Sequence, residues 1–336
     1  MRYFSDILVV FEFGLRAVAR YMIHKMANLR PLAKSLQEKC EKELNEQPER
    51  IVSDIKAIRD WLQKQPHLQS VKPSDQWLLS FLRGNKFSLE RTKEKLDMSY
   101  TLRTLVPEIF KNRDPLDPKL NEVLRKGLFL PLKKCAKEDG CRPMFVRFNF
   151  RDGPLIPVEQ LMKVAFMIVE IMIRDDDNFL ICGEEVIVDL KNMGMAALSL
   201  WTPALAKKIV MSFEKALPVR MKNIHILNPP PGLETVLNLI KAFMSQKLKD
   251  RIFVYGQNLD SFHERFPQEL LPEEYGGNNG TVQDLSDYWT GILEGNRDWF
   301  LAEEKAYSDE SRRPEKPKTT TSLFGVDGSF RKLDFD

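Results

Sequence analysis

Hydrophobic positions recur at helical spacing through the first third of the chain and then give way to short apolar runs separated by turns. Ile51, Ile55, Ile58 and Leu62 share one helical face, and Pro66 ends that helix. Ser74 or Asp75 can cap the next helix, whose buried face is Trp77, Leu78, Phe81 and Leu82, with Gly84 suited to the left-handed position past its end. Ser88 can cap a third helix through Leu89, Thr92, Leu96 and Tyr100, stopped near Pro107, and 107–118 reads as a linker. From about Gly127 the pattern changes. Residues 143–150 alternate like a strand, Gly153 and Pro154 turn, and Pro157 can open a long helix through Ile173. Residues 185–190 form an apolar strand, Thr202 and Pro203 begin a helix through Phe213, and 223–227 and 251–256 are further strands on either side of a helix over 233–248. Strands alternating with helices predict crossover units and a largely parallel sheet. The runs Val186-Ile-Val188 and Ile224-His-Ile226 suit strands covered on both faces.

The fold class expected is therefore α/β: a helical N-terminal bundle followed by a domain with a mostly parallel sheet flanked by helices. Its divisions are an N-terminal extension over 1–48, partly dispensable, a helical unit over 49–106, the α/β domain over 120–280, a helical segment over 281–307, and a disordered tail over 308–336. The tail is rich in Pro, Lys, Glu, Arg and Thr, a composition that buries too little surface to offset ordering entropy. Ile7 to Phe11 resembles the core of a signal peptide, but Glu12 and Arg16 interrupt it and no small-residue cleavage site follows. Met26 looks like a second start, so that residues 1–25 are expected to add nothing to the fold; the plainer alternative is an amphipathic segment that touches membranes. The most apolar stretch, 161–173, carries Lys163 and Glu170 and falls short of the ~20 apolar residues a membrane span requires.

The chain has 336 residues, 43% hydrophobic and 29% charged, with a net charge of +3. That balance argues against nucleic-acid binding, which usually carries a strongly basic domain or stripe, and makes any role of charge local. Cys40, Cys135, Cys141 and Cys182 have neither Cys-x-x-Cys spacing nor a histidine at ligand spacing, so they read as reduced, small buried hydrophobes of an intracellular protein. No dinucleotide fingerprint, phosphate-binding loop or nucleophile elbow is present. His225 lies inside an apolar strand and is expected to be a hydrogen-bonded core histidine rather than a base; Asp189, at a strand end, is expected to cap or turn; Gly276 to Gly280 reads as a turn. No catalytic residue, metal ligand or cofactor is expected.

The helix over 233–248 stands apart. Leu233, Val236, Leu237, Leu239, Ile240, Phe243, Met244 and Leu248 cover about half its circumference. Simple burial against a sheet would explain this, but an apolar surface bearing Met and Phe is also adaptable enough for a mobile cover. Lys247, Lys249 and Arg251 crowd its C-terminal end, where cations oppose the helix dipole favourably. Parallel strands start on the same sheet edge, which brings Arg220, Lys222 and Arg251 together as a basic patch beside the helix.

Several short signatures, each weak, occur in one order. They are Arg59-Asp-Trp-Leu62, Pro66-His-Leu68, Leu78-Leu-Ser-Phe-Leu-Arg-Gly-Asn-Lys-Phe87, Ile224-His-Ile-Leu-Asn228, Ile240-Lys-Ala-Phe243, Lys249-Asp-Arg-Ile252 and Leu271-Pro-Glu-Glu-Tyr-Gly-Gly277. Together they resemble the CRAL-TRIO family of lipid-transfer proteins over most of 49–280, particularly its tocopherol- and retinaldehyde-binding branch. The resemblance implies a cavity between sheet and helices closed by a helical gate at about 228–249, and a basic cleft that contacts phosphoinositide headgroups. Position by position the cleft would comprise Arg83, Arg220, Lys247 and Arg251, with Lys222 adjacent. Phe145, Phe148, Ile187, Leu237, Ile240 and Met244 are expected near the ligand. Val219 stands where the phosphatidylinositol-carrying branch has Glu, Arg220 where the tocopherol branch has Lys, and Ala242 where the gate helix has Pro; Pro229 to Pro231 would stiffen the hinge.

The resemblance implies a cytoplasmic, non-enzymatic carrier of one small hydrophobic molecule, tocopherol- or retinoid-like, reversibly associated with phosphoinositide-containing membrane and needing no nucleic acid or cofactor. The alternatives are a lipid-sensing module that recruits a protein partner and, against the missing motifs, an α/β hydrolase or reductase.

Overall fold

A computed structural model describes residues 29–149, 155–256 and 259–325. The N-terminal unit comprises α1 (Lys34–Leu44), α2 (Ile51–Gln63), α3 (Asp75–Gly84), α4 (Leu89–Leu105) and the single turn α5 (Pro107–Phe110). Ile51, Ile55, Ile58 and Leu62 form the buried face of α2, as their spacing predicts. The Ser74 hydroxyl accepts from the Trp77 amide and caps α3. Gly84 closes α3 for a different reason from the one its sequence suggests. The left-handed residues are Lys86 and Phe87. Gly84 is required by close approach, because a β-carbon there would stand 2.2 Å from the Pro218 carbonyl oxygen.

One expectation about this region is corrected. The extension over 1–48, expected to be partly dispensable, contributes core through α1: Leu36, Cys40 and Leu44 pack with Ile181 and Cys182. The expected linker over 107–118 is also packed, with Ile109, Phe110 and Arg113 buried before Asp117 caps α6 (Pro118–Arg125). The proposed second start at Met26 and the signal-like stretch lie outside the described residues.

The α/β domain runs β1 (Phe129–Pro131), β2 (Arg142–Asn149), α7 (Val158–Asp175), α8 (Asp177–Cys182), β3 (Glu184–Asn192), α9 (Met195–Leu198), α10 (Pro203–Met211) with a π turn at Ser212–Ala216, β4 (Met221–Leu227), α11 (Leu233–Lys241), α12 (Gln246–Lys249) and β5 (Ile252–Val254). The strands lie in sequence order, β1 antiparallel to β2 and the rest parallel. Right-handed crossovers between neighbouring parallel strands place the connecting helices on one face. Accordingly Met144, Val146 and Phe148 share a core with α7 and α10. The opposite face packs Phe145, Ile187 and Leu227 with Phe262, Phe266 and Leu285, the last from α14 (Val282–Gly295), which follows the single turn α13 (Asp260–His263). The expected 233–248 helix is two helices, broken at 242–245.

After α15 (Arg297–Glu303), the chain returns over the N-terminal unit, and the last described helix is α16 (Thr320–Phe324). The tail expected to be disordered from residue 308 is packed through Gly325. The Ser308 and Asp309 amides donate to the Tyr100 and His67 carbonyls. Arg313 pairs with Asp97 at 2.9 Å and with Glu310 at 2.6 Å, Lys318 also pairs with Asp97, and Phe324 is buried. Composition misled here because the tail's charges meet complementary charges on the bundle. A second buried charge cluster joins the units: Glu170 binds Arg103 at 3.1 Å and Arg113 at 2.5 Å, and Arg103 also binds Glu303. Burial alone would raise the Glu170 carboxyl's pKa, but Arg113 and Arg103 overcome it and hold the pKa below the usual carboxylate range.

Candidate functional site: an apolar cavity beside a basic groove

A cavity of about 250 Å³ lies between the sheet and its helices. Strand periodicity builds its floor. Met144, Val146 and Phe148 of β2, Val186, Val188 and Leu190 of β3, and Ile224 and Ile226 of β4 all point the same way. Met162, Ala165 and Val169 of α7 form one wall, and Leu233, Val236, Leu237 and Ile240 of α11, with Met244, form the cover. Of the six residues expected near a ligand, Phe148, Leu237, Ile240 and Met244 line this cavity. Phe145 and Ile187 do not: both are fully buried on the opposite face of the sheet. Phe145 and Phe148 differ by an odd number of positions on one strand, so both could not face one cavity.

The cover differs from the rest of the core. In α7 thirteen residues are buried, whereas α11 and α12 have none. The apolar side chains of α11 are therefore only half withdrawn from solvent on the cavity's outer side. Gly232 enters α11 in the left-handed conformation at φ 82°, after Asn228 at φ 51°. At the break between α11 and α12, Ser245 donates from its hydroxyl to Glu214 at 2.9 Å and from its amide at 3.2 Å.

Beyond the edge of the sheet at which the parallel strands begin lies a groove walled by cations. Arg220, Lys222, Lys247 and Arg251 line it, the first, second and fourth from the strand starts and Lys247 from the end of the cover. Lys86, Arg91 and Lys95 from the N-terminal unit and Lys215 from the π turn join them, against Glu43, Glu184 and Glu214. The Lys247 amine loses its proton more readily than an isolated lysine, chiefly because of Arg251, then through burial, then through Lys86, Lys222 and Arg220. Burial, followed by repulsion from Lys215, lowers the Lys95 amine to about 8. An anion entering the groove would relieve this mutual repulsion. Arg251 is tied to the Met221 carbonyl, while Lys247 is exposed.

Arg83 is not part of this surface. It is fully buried, with Nε 2.8 Å from Glu46 Oε2 and Nη2 3.3 Å from Oε1. Matching a sequence position transferred the residue but not its surroundings, because its partner belongs to the segment before the family signatures begin.

The remaining candidates have structural roles. His225 is fully buried, its Nδ1 2.9 Å from the Tyr255 hydroxyl and its Nε2 2.9 Å from Glu185. Asp189 accepts from the Lys191 amide, the Asn228 amide group and the Tyr275 hydroxyl, which pins the strand end. Gly276 takes the left-handed conformation within the expected turn, and Gly277 abuts the Leu271 carbonyl. All four cysteines are free; Cys40 and Cys182 are buried, whereas Cys135 and Cys141 are partly exposed. Among the described residues, no helix is long and apolar enough to cross a membrane, and no group of three or more His, Cys, Asp or Glu is placed to hold a metal ion.

Residues 47–120 match the family model described as Pinta-like, UBA domain, and residues 137–277 match that of the CRAL/TRIO domain. The second match spans β2 to β5, the cover and all of the cavity lining except Phe129, which lies with β1 before it. Residues 137–277 form a CRAL/TRIO domain. The chain is 29% identical to mouse alpha-tocopherol transfer protein-like over 272 residues, 81% of this chain and 78% of that one. It is 29% identical to rat Clavesin-1, covering 76% of this chain and 71% of the relative, and 28% identical to human Clavesin-2, covering 76% and 77%. The solved structure of Sfh5 superposes with a TM-score of 0.41 and 12% identity over 80% of this chain and 99% of that one, a likeness too weak to bear on the assignment.

Sequence reasoning missed the groove residues contributed from outside the CRAL/TRIO domain. Arg91 and Lys95, one helical turn apart on α4, carry the one local signal, a shared basic face. It also missed Glu184, which sits in the walls of both the cavity and the groove.

Proposed function

We propose that this protein is a lipid carrier of the cytoplasm that holds one small hydrophobic molecule in the cavity, opens by movement of α11 and α12, and docks reversibly on membrane through the basic groove, with phosphoinositide headgroups as the anionic contact. One observation carries the proposal: the cavity's outer cover is an apolar helix with no fully buried residue, and it leads directly into the cation-lined groove. The similarity to mouse alpha-tocopherol transfer protein-like supports the same reading.

The energetic need is large. Exposing apolar chain to water costs roughly 0.8 kcal/mol per methylene, so a chain of ~16 carbons faces a barrier on the order of 13 kcal/mol. A closed apolar cavity removes most of it. Each cation near an anionic bilayer contributes about 1 kcal/mol. The groove cations Arg220, Lys222, Lys247 and Arg251 therefore give on the order of 4 kcal/mol, a reversible attachment. Membrane contact at the groove would favour the open cover only as far as the open form binds the surface better than the closed form. Glu214 and Ser245 set part of that balance, since their hydrogen bonds must break for the cover to swing at the α11–α12 junction.

Transfer of retinol and of a fluorescent tocopherol analogue between vesicles, with and without phosphatidylinositol bisphosphate in the acceptor, tests the reading. Transfer that the protein accelerates, and accelerates further with the phosphoinositide, supports it. Failure to accelerate either lipid overturns the carrier function, and acceleration indifferent to acceptor charge overturns the docking role.

A further inference from the structure

Glu184 opens β3 and is only 2% exposed. Among the described residues it is the one ionisable side chain in the cavity wall, and with Phe213 and Met221 it also borders the groove. Its Oε1 is buried and accepts no hydrogen bond. Among the described residues no cation compensates it, burial being the sole influence on its carboxyl; the neighbouring Arg220 reaches it through the backbone, where the Glu184 amide donates to the Arg220 carbonyl at 3.0 Å. Burial pushes the Glu184 carboxyl up to about 8, which leaves it mainly protonated at neutral pH. A carboxylic acid offers one donor and free acceptor capacity. An unpartnered buried group of this kind destabilises the protein unless something completes it.

The complement of a carboxylic acid is a group that also donates and accepts. A hydroxyl does both. A hydrocarbon does neither, and an anionic headgroup placed here would bury its charge beside an uncharged acid that cannot compensate it. The doorway position fixes orientation as well: the apolar floor extends from Glu184 along β3, through Val186 and Val188 to Leu190, beneath α11.

Building on the carrier reading, we propose that Glu184 is a polar anchor within the cavity and that the carried lipid bears a single uncharged hydroxyl, held at the groove end with its apolar body under α11. The anchor makes the cavity selective by head group, where its other walls discriminate only by shape. A site built to hydrogen-bond a hydroxyl discriminates against an analogue lacking its proton.

Matched pairs test this: retinol, α-tocopherol and hexadecanol, each against its O-methyl ether, bound to the full-length protein and to Glu184→Gln and Glu184→Leu. The wild type is expected to prefer the free hydroxyl in at least one pair by about tenfold. Glu184→Gln, which keeps a donor and an acceptor, retains most of that preference, and Glu184→Leu abolishes it while still binding the ether. Thermal melting confirms that each variant is folded. Equal affinity for alcohol and ether in the wild type, or a preference that survives in Glu184→Leu, overturns the anchor and leaves the carrier function standing. Failure to bind any of the six lipids overturns the carrier reading and the anchor with it.

Discussion

The Glu184 amide donates to the Arg220 carbonyl across 3.0 Å, so the first residue of β3 and the last residue before β4 are locked together. Glu184 faces the apolar cavity and Arg220 faces the basic groove. One backbone hydrogen bond therefore joins the wall of a lipid-sized cavity to the wall of an anion-attracting surface. The arrangement follows from parallel pairing, which aligns the starts of neighbouring strands along one edge.

Gly183, immediately before this bond, has φ 90°, and a β-carbon there would lie 2.2 Å from the Arg220 carbonyl oxygen. Gly183→Ala should destabilise the protein by about 2 kcal/mol or more, because the strain and the clash act together. Urea unfolding measures this. An unchanged midpoint would mean that the β3–β4 edge is loosely held.

Arg83 and Lys247 should behave oppositely, although both were expected in one cleft. Arg83→Ala leaves Glu46 as an unpaired buried carboxylate and should cost about 3–5 kcal/mol of stability. Lys247→Glu changes an exposed residue and should leave stability within about 0.5 kcal/mol while weakening attachment to anionic vesicles. Paired unfolding and vesicle co-sedimentation distinguish them. A stable Arg83→Ala protein that fails only at membranes would restore Arg83 to the docking surface.

Glu184 gives a pH signature. Its carboxyl is pushed up to about 8 from 4.5, so between those values the folded state holds a proton that the unfolded state has released. Its contribution to stability is complete below about pH 4.5 and is lost as pH rises to about 8, with a slope of up to about 1.4 kcal/mol per pH unit. Glu184→Gln removes that slope. The variant's advantage over the wild type in urea should grow between pH 5 and pH 8 and then level off. An advantage independent of pH would show that Glu184 is ionised when folded.

Removing residues 308–336 should destabilise the protein by about 3–5 kcal/mol, through loss of buried Phe324 and of the Arg313 and Lys318 partners of Asp97. Calorimetry of the truncated chain checks this. A melting temperature equal to that of the full chain would mean that the tail adds no net stability.

Periodicity was sufficient for β2 to β4 and for α2, α3, α4 and α7, because each has several positions committed to one face. It failed where a structural choice is made elsewhere in the chain. β1 has three residues, too few to alternate. Parity along β2 could have excluded either Phe145 or Phe148, but the face holding the cavity depends on which side α7 and α10 cover. The tail's order depends on Asp97, more than two hundred residues away from Arg313. The groove was half legible for the same reason: sheet topology brings Arg220, Lys222 and Arg251 together, while Lys86, Arg91 and Lys95 arrive by packing of a separate unit.

The central claim is that the cavity carries lipid, and native mass spectrometry of the purified protein beside a Val188→Trp variant, with extraction and identification of what accompanies each, tests it most directly. Val188 lies on the cavity floor, so an indole there should occupy the space a ligand needs. The account predicts one hydrophobic molecule per wild-type chain and none in the folded variant. A wild-type protein that emerges empty and takes up no offered lipid, or a variant that retains the same molecule, would contradict it.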